Sequence, residues 1–316
     1  MEQEMHYIYT VYEYGSFSKA ASALFMTQPA LSIAVQRVES RMGMPLFDRT
    51  CKPLKLTEAG ELYIQKYRQI LDLENELEQQ MNDLSSLRKG ALRIGGSHYF
   101  NSYILPPVLT EFARKYPGIH LELVEAGSNE LLDMLYEHKI DLTFNCALKP
   151  RDSFHRIPCF TDYVLLAVPS AFPVSKRLAP KALSAEDVIH RRHHESDCPV
   201  ITMESFSDTP FILLTPGNNL FDRSTSLFES AQLHPEIRLQ VTQQVTAWHL
   251  TQAGLGATFI SDMLVKKAEE NTVFFKIDSP LARRCFDLTM SDRHYISNAM
   301  KAFAATFKEK YQKPDD

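Results

Sequence analysis

Gln28 and Ser32 stand four residues apart, one helical turn, in the segment TQPALSIAVQRV. A glutamine amide can bond an adenine edge at two points, and a serine hydroxyl can serve any base. Thr27 can cap that helix, and Pro29 suits its first turn, where a missing N–H costs nothing. Arg37 has Ile33, Ala34, Ser40 and Arg41 at helical spacing, so no acid on its own helix competes for it, which favours a phosphate partner. Arg49, Lys52 and Lys55 follow around a proline-containing loop that leads into the alternation Leu54, Leu56, as a basic β-wing would. Ser16 or Ser18 can cap the helix before the turn. The chemistry these nine candidates (Ser18, Thr27, Gln28, Pro29, Ser32, Arg37, Arg49, Lys52 and Lys55) could do is contact with double-stranded DNA.

Bond-making chemistry finds less support. No GxSxG elbow, HExxH pair or run of metal ligands organises the serines, histidines and acids. No GxGxxG follows a strand, and no Walker-type lysine follows Gly95-Gly96. The expectation is a protein that is not an enzyme and carries no cofactor.

The elements that must position these residues come next. Phe17, Ala20, Ala21 and Leu24 recur at i, i+3, i+4 and i+7 and make one apolar helix face. Leu31, Val35 and Val38 make another after the turn, and the small Ala20 and Ala21 let the two helices cross closely. Two helices with a tight turn form a helix-turn-helix, whose second helix can enter the major groove. Residues 1–60 carry six Lys/Arg (19, 37, 41, 49, 52, 55) and six Asp/Glu (2, 4, 13, 39, 48, 58), so this segment is neutral. Phosphate contacts can also come from hydroxyls, amides and helix N-termini, so few cations imply weak non-specific binding and a modest salt slope.

From Thr57 to about Leu87 runs one long helical pattern. Ile70, Leu77 and Leu84 recur every seven residues, with Leu73 and Leu87 on the second seam position and Gln80 interrupting it, as in a short, imperfect coiled coil. From Ala91 onward, apolar runs such as ALRIGG, IHLELVEA, IDLTFNCA and DYVLLAVP alternate with helical stretches. The alternation returns at FILLTPG, EIRLQVTQ, ATFISD and TVFFKID, which implies βαβ units and a mostly parallel sheet in two α/β halves.

Composition agrees with a soluble globular chain. Of 316 residues, 44% are hydrophobic and 23% charged, with a net charge of −5. No eighteen-residue apolar run occurs, the start MEQEMHYIYT lacks the form of a secretory signal, and the five cysteines include no CxxC pair. Cytoplasmic location, no membrane and free thiols are expected, with Cys146, Cys159 and Cys285 buried in or beside apolar runs.

In order and spacing, the SFSKAASAL helix, the TQPALS turn, the RVESRMG helix end, the PLFDR loop and the LTEAG helix start closely resemble the LysR-type transcriptional regulators. The resemblance covers about sixty residues in detail and the remainder in architecture. It implies an α/β protein with a mainly α winged helix-turn-helix at 1–60 and a linker and dimerisation helix at 57–89. An effector domain like the periplasmic solute-binding proteins would follow, with subdomain I at 90–163 and 267–312 and subdomain II at 164–266. Ile33 departs from the family, which often has a polar or basic residue there. The implied function is sequence-specific regulation of transcription, modulated by a small-molecule effector such as an organic acid or amino acid. Implied partners are an operator DNA, a second copy or three in a homodimer or homotetramer, and RNA polymerase.

In the family the residues after the first effector strand line the pocket, which here are Ser97, His98 and Tyr99. Ser128 can cap the helix after IHLELVEA and bind a carboxylate, with Asn129 beside it. Thr215 falls at a strand end, and Gln244 and Thr246 at another helix entry. Gly254 and Gly256 read as turn residues with positive φ, and Ser261-Asp262 replaces the family's more usual Leu-Pro.

Between KRLAPKALS and DTPFILL, about fifteen to twenty residues exceed the family pattern. Were 186–198 helical, Glu186, His190, His194 and Cys198 would share one face, a possible zinc or copper site. Cys198, near Arg191, Arg192 and the histidines, is alternatively a candidate redox thiol. A metal- or redox-sensing regulator of the same fold is therefore one alternative; a small-molecule binding protein without a DNA role is another.

Overall fold

The computed structural model describes residues 2–84, 90–146, 154–268 and 270–311. It divides into two compact units, Met1–Gln79 and Gln80–Asp316.

The first unit opens with α1 (Glu2–Tyr14), α2 (Phe17–Ala23) and α3 (Gln28–Met42). Ser16, not Ser18, caps α2, accepting from the Lys19 amide; Thr27 caps α3, accepting from the Ala30 amide. Gln28 and Pro29 are the first two helical residues, and Gly43, at φ 76°, closes α3 in the left-handed region. Ala20, Ala21, Leu31, Val35 and Val38 are all buried in one core with Ile8 and Val11 of α1. Strands β1 (Phe47–Asp48) and β2 (Lys55–Leu56) pair antiparallel as the wing. Helix α4 (Glu58–Leu84) begins where Thr57 Oγ1 accepts from the Gly60 amide and donates to the Pro45 carbonyl. A Cβ on Gly60 would stand 2.0 Å from the Leu46 carbonyl oxygen, so only glycine lets this first turn lie on the wing loop. Leu87, expected at the end of the apolar seam, and the end of the linker at 85–89 lie outside the described residues.

In the second unit, β3 (Gly90–Gly96) leads through an irregular turn into α5 (Leu105–Lys115). Then come β4 (Ile119–Glu125), α6 (Ser128–Tyr136), β5 (Leu142–Asn145) and β6 (Phe154–Pro169). Strands β3, β4 and β5 are mutually parallel. After β6 follow α7 (Pro173–Arg177), α8 (Ala185–Ile189), β7 (Val200–Ile201), β8 (Phe211–Leu214), α9 (Asn219–Ser230), β9 (Ile237–Val241), α10 (Gln244–Gln252) and β10 (Thr258–Ser261). The chain ends with β11 (Thr272–Ile277), β12 (Arg283–Ser291) and α11 (Asn298–Tyr311). The sheet is mixed and not mostly parallel: β12 runs antiparallel to β5 and β6, and β10 and β11 run antiparallel to β6.

The sixteen-residue β6 is the hinge of the design. Its first half pairs with β12 as part of the first α/β half, and its second half pairs with β10 and β11 of the other. β12 pairs along β6 as far as Tyr163, and β10 takes over from Val164. The return differs from the sequence expectation. Residues 267–277 were expected in the first half, but β11 hydrogen-bonds along Leu165–Pro169, so the chain recrosses only between Ile277 and Arg283.

Two further local differences follow from backbone geometry. The first effector helix starts at His98, just after Ser97, and passes through a wide turn at Phe100–Ile104, which the sequence reading missed by taking Ile104 as the start. Gly254 has the expected positive φ of 86°. Gly256 does not, and its need is space, since a Cβ would lie 2.9 Å from the Pro210 carbonyl oxygen.

Candidate functional site

On the first unit, Ser18, Gln28, Pro29, Arg37, Lys52 and Lys55 are exposed, and Ser32 is half-buried beside them on α3. Thr27 is exposed but its hydroxyl is engaged in capping. Ile33 is half exposed on α3, presenting a methyl-bearing side chain that could meet a thymine methyl. The cations divide into two groups. Arg41 pairs with Glu4 at 2.8 Å, and Arg49 pairs with Glu39 at 3.0 Å while lying over the Phe17 ring. Lys19, Arg37, Lys52 and Lys55 make no ion pair among the described residues, so they are free to meet phosphate. Glu39 also accepts from the Leu46 amide at 2.8 Å, so the Arg49–Glu39 pair fastens the wing to α3.

In the second unit a cavity of about 280 Å³ lies between the two halves. Of the residues named from the sequence, Ser97, His98, Tyr99, Ser128, Thr215 and Gln244 line it; Asn129 and Thr246 are exposed and stand outside it. Ser128 is not a cap: Gly127 holds that position and Ser128 begins α6. Three helices, α6, α9 and α10, start at this cavity, from Gly127, Asn218 and Gln243, and none is capped by its own side chain. Their first N–H groups are therefore open to an anion. Gln244, 6% exposed, keeps Nε2 without an acceptor among the described residues.

The floor of the cavity was not legible in the sequence. Arg284 and Asp162 are both buried and bonded to each other, with Nε to Oδ1 at 2.7 Å. Tyr99 Oη donates to Asp162 Oδ2 at 3.0 Å, and Ser261 Oγ donates to the same oxygen at 2.6 Å. Burial, with the Asp162 carboxylate, pushes the Tyr99 phenol well above its ordinary value, so it stays a donor. Arg223 of α9 is also buried but, among the described residues, meets only neutral acceptors: Asn219 Oδ1 at 2.9 Å and the carbonyls of Leu281, Arg283 and Cys146 at 2.8, 3.2 and 2.9 Å. It ties the second half to β5 and to the return crossing. No periodic signal marks such a residue, because three of its four partners are backbone oxygens 58 to 77 positions away.

The inserted stretch does not form one helix. Helix α8 ends at Ile189, Arg191 adopts a left-handed φ of 61°, and a short 3-10 turn follows at Arg192–His194. His190, His194 and Cys198 are therefore not brought to one face. His190 Nδ1 lies 2.9 Å from the Glu186 carbonyl oxygen, and Cys198 is buried with its thiol raised by desolvation, unlike an activated thiolate. What does converge is His193, overlooked in the sequence, with His194 and Asp262: Nε2 of each histidine faces Asp262 Oδ2, at 2.9 and 3.6 Å. Burial alone would push the Asp262 carboxyl up, but bonds from both histidines and the Tyr163 amide outweigh it and hold it well below the carboxylate range. Cys146 and Cys159 are buried as expected, each raised to about 12 by desolvation, whereas Cys285 is exposed.

Two family models fit this chain. That of the bacterial regulatory helix-turn-helix protein, lysR family, matches residues 3–61, and that of the LysR substrate binding domain matches 85–199 and 193–312. The chain belongs to the LysR family of transcriptional regulators. As a LysR-type protein it is a DNA-binding transcriptional regulator with a substrate-binding domain. Among its relatives, the HTH-type transcriptional regulator YybE of Bacillus subtilis is 24% identical over 302 residues, covering 95% of this chain and 96% of that protein. A probable RuBisCO transcriptional regulator of Trichormus variabilis is 28% identical over 306 residues, covering 95% and 86%. Full-length CbnR, solved with its target DNA, superposes with a TM-score of 0.63 at 17% identity, over 98% of this chain and 99% of CbnR. The effector binding domain of QuiR, solved with shikimate, superposes at 0.57 and 17% identity, over 72% of this chain and 99% of that domain.

Proposed function

We propose that this LysR-type regulator senses a small organic acid or amino acid in the cavity between its effector halves. The observation that carries this reading is the meeting of three uncapped helix N-termini in one cavity. The Gln244 Nε2, a buried donor in the same lining without an acceptor among the described residues, suits the same kind of group. Shikimate in QuiR, a hydroxylated carboxylic acid, suits the same kind of lining. The effector is then the sole small molecule the protein requires, and it acts by binding, without turnover.

Gln28 and Ser32 read bases, while Arg37, Lys52 and Lys55 meet phosphates of a double-stranded operator. Along α4, Leu73, Leu77, Met81 and Leu84 are exposed and Ile70 only partly covered, an apolar stripe that a second copy would bury. A homodimer through this stripe presents two reading helices to a two-fold operator. Such dimers would pair into tetramers and meet RNA polymerase from the bound operator, in the cytoplasm. No helix among the described residues is long and apolar enough to cross a membrane.

The test is binding of the full chain to DNA from its own upstream region, beside Gln28→Ala/Ser32→Ala, at two salt concentrations. Specific binding lost in the double variant supports the reading head; unchanged binding removes it. A thermal-shift screen of organic acids and amino acids then seeks the effector. By linkage, operator DNA must change the affinity of a coupled effector by the factor that the effector changes DNA affinity. Equal effector affinity with and without operator would end the coupling.

A further inference from the structure

His193, His194 and Asp262 bring three metal-ligating atoms together, each within 4.8 Å of the other two. None of the three lines the cavity between the halves. Nε2 of His193 and Nε2 of His194 stand 2.9 and 3.6 Å from Asp262 Oδ2. Two ligands of a tetrahedral zinc ion, each bonded at about 2.1 Å, stand about 3.4 Å apart, which falls between these two values. Only a small adjustment separates the arrangement from a coordination shell.

The backbone presents the two imidazoles together. Arg191, at φ 61°, ends the run of α8, and the 3-10 turn at Arg192–His194 follows. That turn sets the consecutive rings with centroids 4.4 Å apart and planes at 77°, whereas an extended strand would send them to opposite faces. Asp262 opens the turn after β10, and its other oxygen, Oδ1, accepts from the Tyr163 amide at 3.1 Å. That bond leaves Oδ2 to the histidines and is the kind of outer support that orients a metal-bound carboxylate. His193 is fully buried and Asp262 nearly so, while the His194 side chain is 35% exposed and gives an ion a way in.

Two imidazoles and one carboxylate suit zinc and neighbouring transition metals, whereas magnesium and calcium take oxygen ligands. With neutral imidazoles, a bound divalent ion keeps one positive charge. Lys266 lies within Coulombic reach of Asp262 and Arg191, so it opposes that charge and favours an anion or hydroxide as the fourth ligand. The fold does not depend on the ion, because the imidazoles and the carboxylate bond to one another without it.

We propose that His193, His194 and Asp262 form a reversible three-ligand site for a divalent ion of the zinc class, with a fourth position left for water or an anion. Asp262 and Tyr163 directly follow Ser261 and Asp162, whose side chains bond at the floor of the cavity between the halves. The ion would therefore sit one residue along each strand from that floor. The proposal does not rest on the identity of the effector.

The experiment titrates zinc into chelator-treated, full-length protein against a chromophoric chelator, with cobalt(II) in parallel for its visible absorption. One ion per chain is expected, with cobalt bands of a four- or five-coordinate nitrogen and oxygen site. His194→Ala should weaken zinc binding at least ~10-fold, since losing even an outer partner of a metal ligand costs ~10–100-fold. His194→Gln keeps more of the side chain's packing and should lose zinc equally. Zinc should raise the thermal midpoint of the wild type but not of either variant. His120→Ala/Cys285→Ser removes an exposed imidazole 3.8 Å from Glu122 and the exposed thiol, and should bind zinc as the wild type does. Lys266→Gln, which removes an opposing charge, should bind at least as tightly. No stoichiometric binding, unchanged affinity in the His194 variants, loss in His120→Ala/Cys285→Ser, or weaker binding in Lys266→Gln would each overturn the proposal.

Discussion

Arg284 and Asp162 stand directly opposite each other on the antiparallel pair β12–β6, and the guanidinium Nε lies 2.7 Å from Oδ1 with both side chains buried. The pair sits where β6 passes from one half to the other, and it holds Tyr99 and Ser261 around the same carboxylate. Removing one partner leaves a buried charge unmatched, which costs about 3–5 kcal/mol, whereas replacing both by apolar residues of similar volume is often close to neutral. Urea unfolding should show Arg284→Met far less stable than the wild type, and Arg284→Met/Asp162→Leu recovering most of the difference. A double variant as unstable as the single one would assign the cost to lost packing instead.

The wing cations should separate by role. Arg49 is held by Glu39 and Phe17, so Arg49→Ala should loosen the first unit by up to about 1 kcal/mol, as half-exposed pairs do. Lys52 and Lys55 have no such partner, so Lys52→Ala should leave the melting midpoint alone and lower the salt slope of DNA binding by about one. The check is the slope of log affinity against log salt for each variant. An unchanged slope in Lys52→Ala would remove that residue from the phosphate contacts.

Much of the first unit was legible because its information is local. The caps Ser16 and Thr27, the stripe Leu31, Val35, Val38 and the closing Gly43 each act within a turn or two of their own position. Most strands of the second unit were legible for the same reason, but β7, β12 and the first half of β6 were not. The return crossing was not, since β11 reads as the same kind of apolar run whichever half of β6 it joins, and only register along Leu165–Pro169 decides. Nor was the cavity floor: Asp162, Arg223 and Arg284 are charged residues in strand or helix patterns, and their burial depends on partners far along the chain. The inserted stretch misled because a four-residue spacing of His190, His194 and Cys198 suggests a helix, while Arg191 breaks it.

Thiol chemistry offers a direct check of burial. Cys146 and Cys159 are buried with thiols pushed up to about 12, and Cys198 is buried too, so all three should resist a disulfide reagent in the native state. Cys285 is exposed and should react first, with Cys51, half-buried and bonded to Asp48, slower. Labelling at neutral pH should lose its fast phase in Cys285→Ser and keep the slower Cys51 phase, while Cys146, Cys159 and Cys198 react only in denaturant. A fast phase that survives Cys285→Ser would place another thiol at the surface.

The Asp262 carboxyl gives the fold an acid-side dependence. Its pKa is depressed in the folded protein, by the two histidines and the Tyr163 amide working against burial, while an unfolded aspartate titrates near ~3.9. A group depressed on folding stabilises above its unfolded pKa, and that contribution is lost as pH falls through the unfolded value toward the folded one. Below about pH 4, the wild type should therefore lose stability more steeply than Asp262→Asn, even though the variant starts lower at neutral pH because His193 loses its charged partner. Urea midpoints measured from neutrality down to the acid limb would show the two curves converging. Parallel curves would mean that Asp262 titrates alike in both states and that its bonds to His193 and His194 contribute nothing net to the fold.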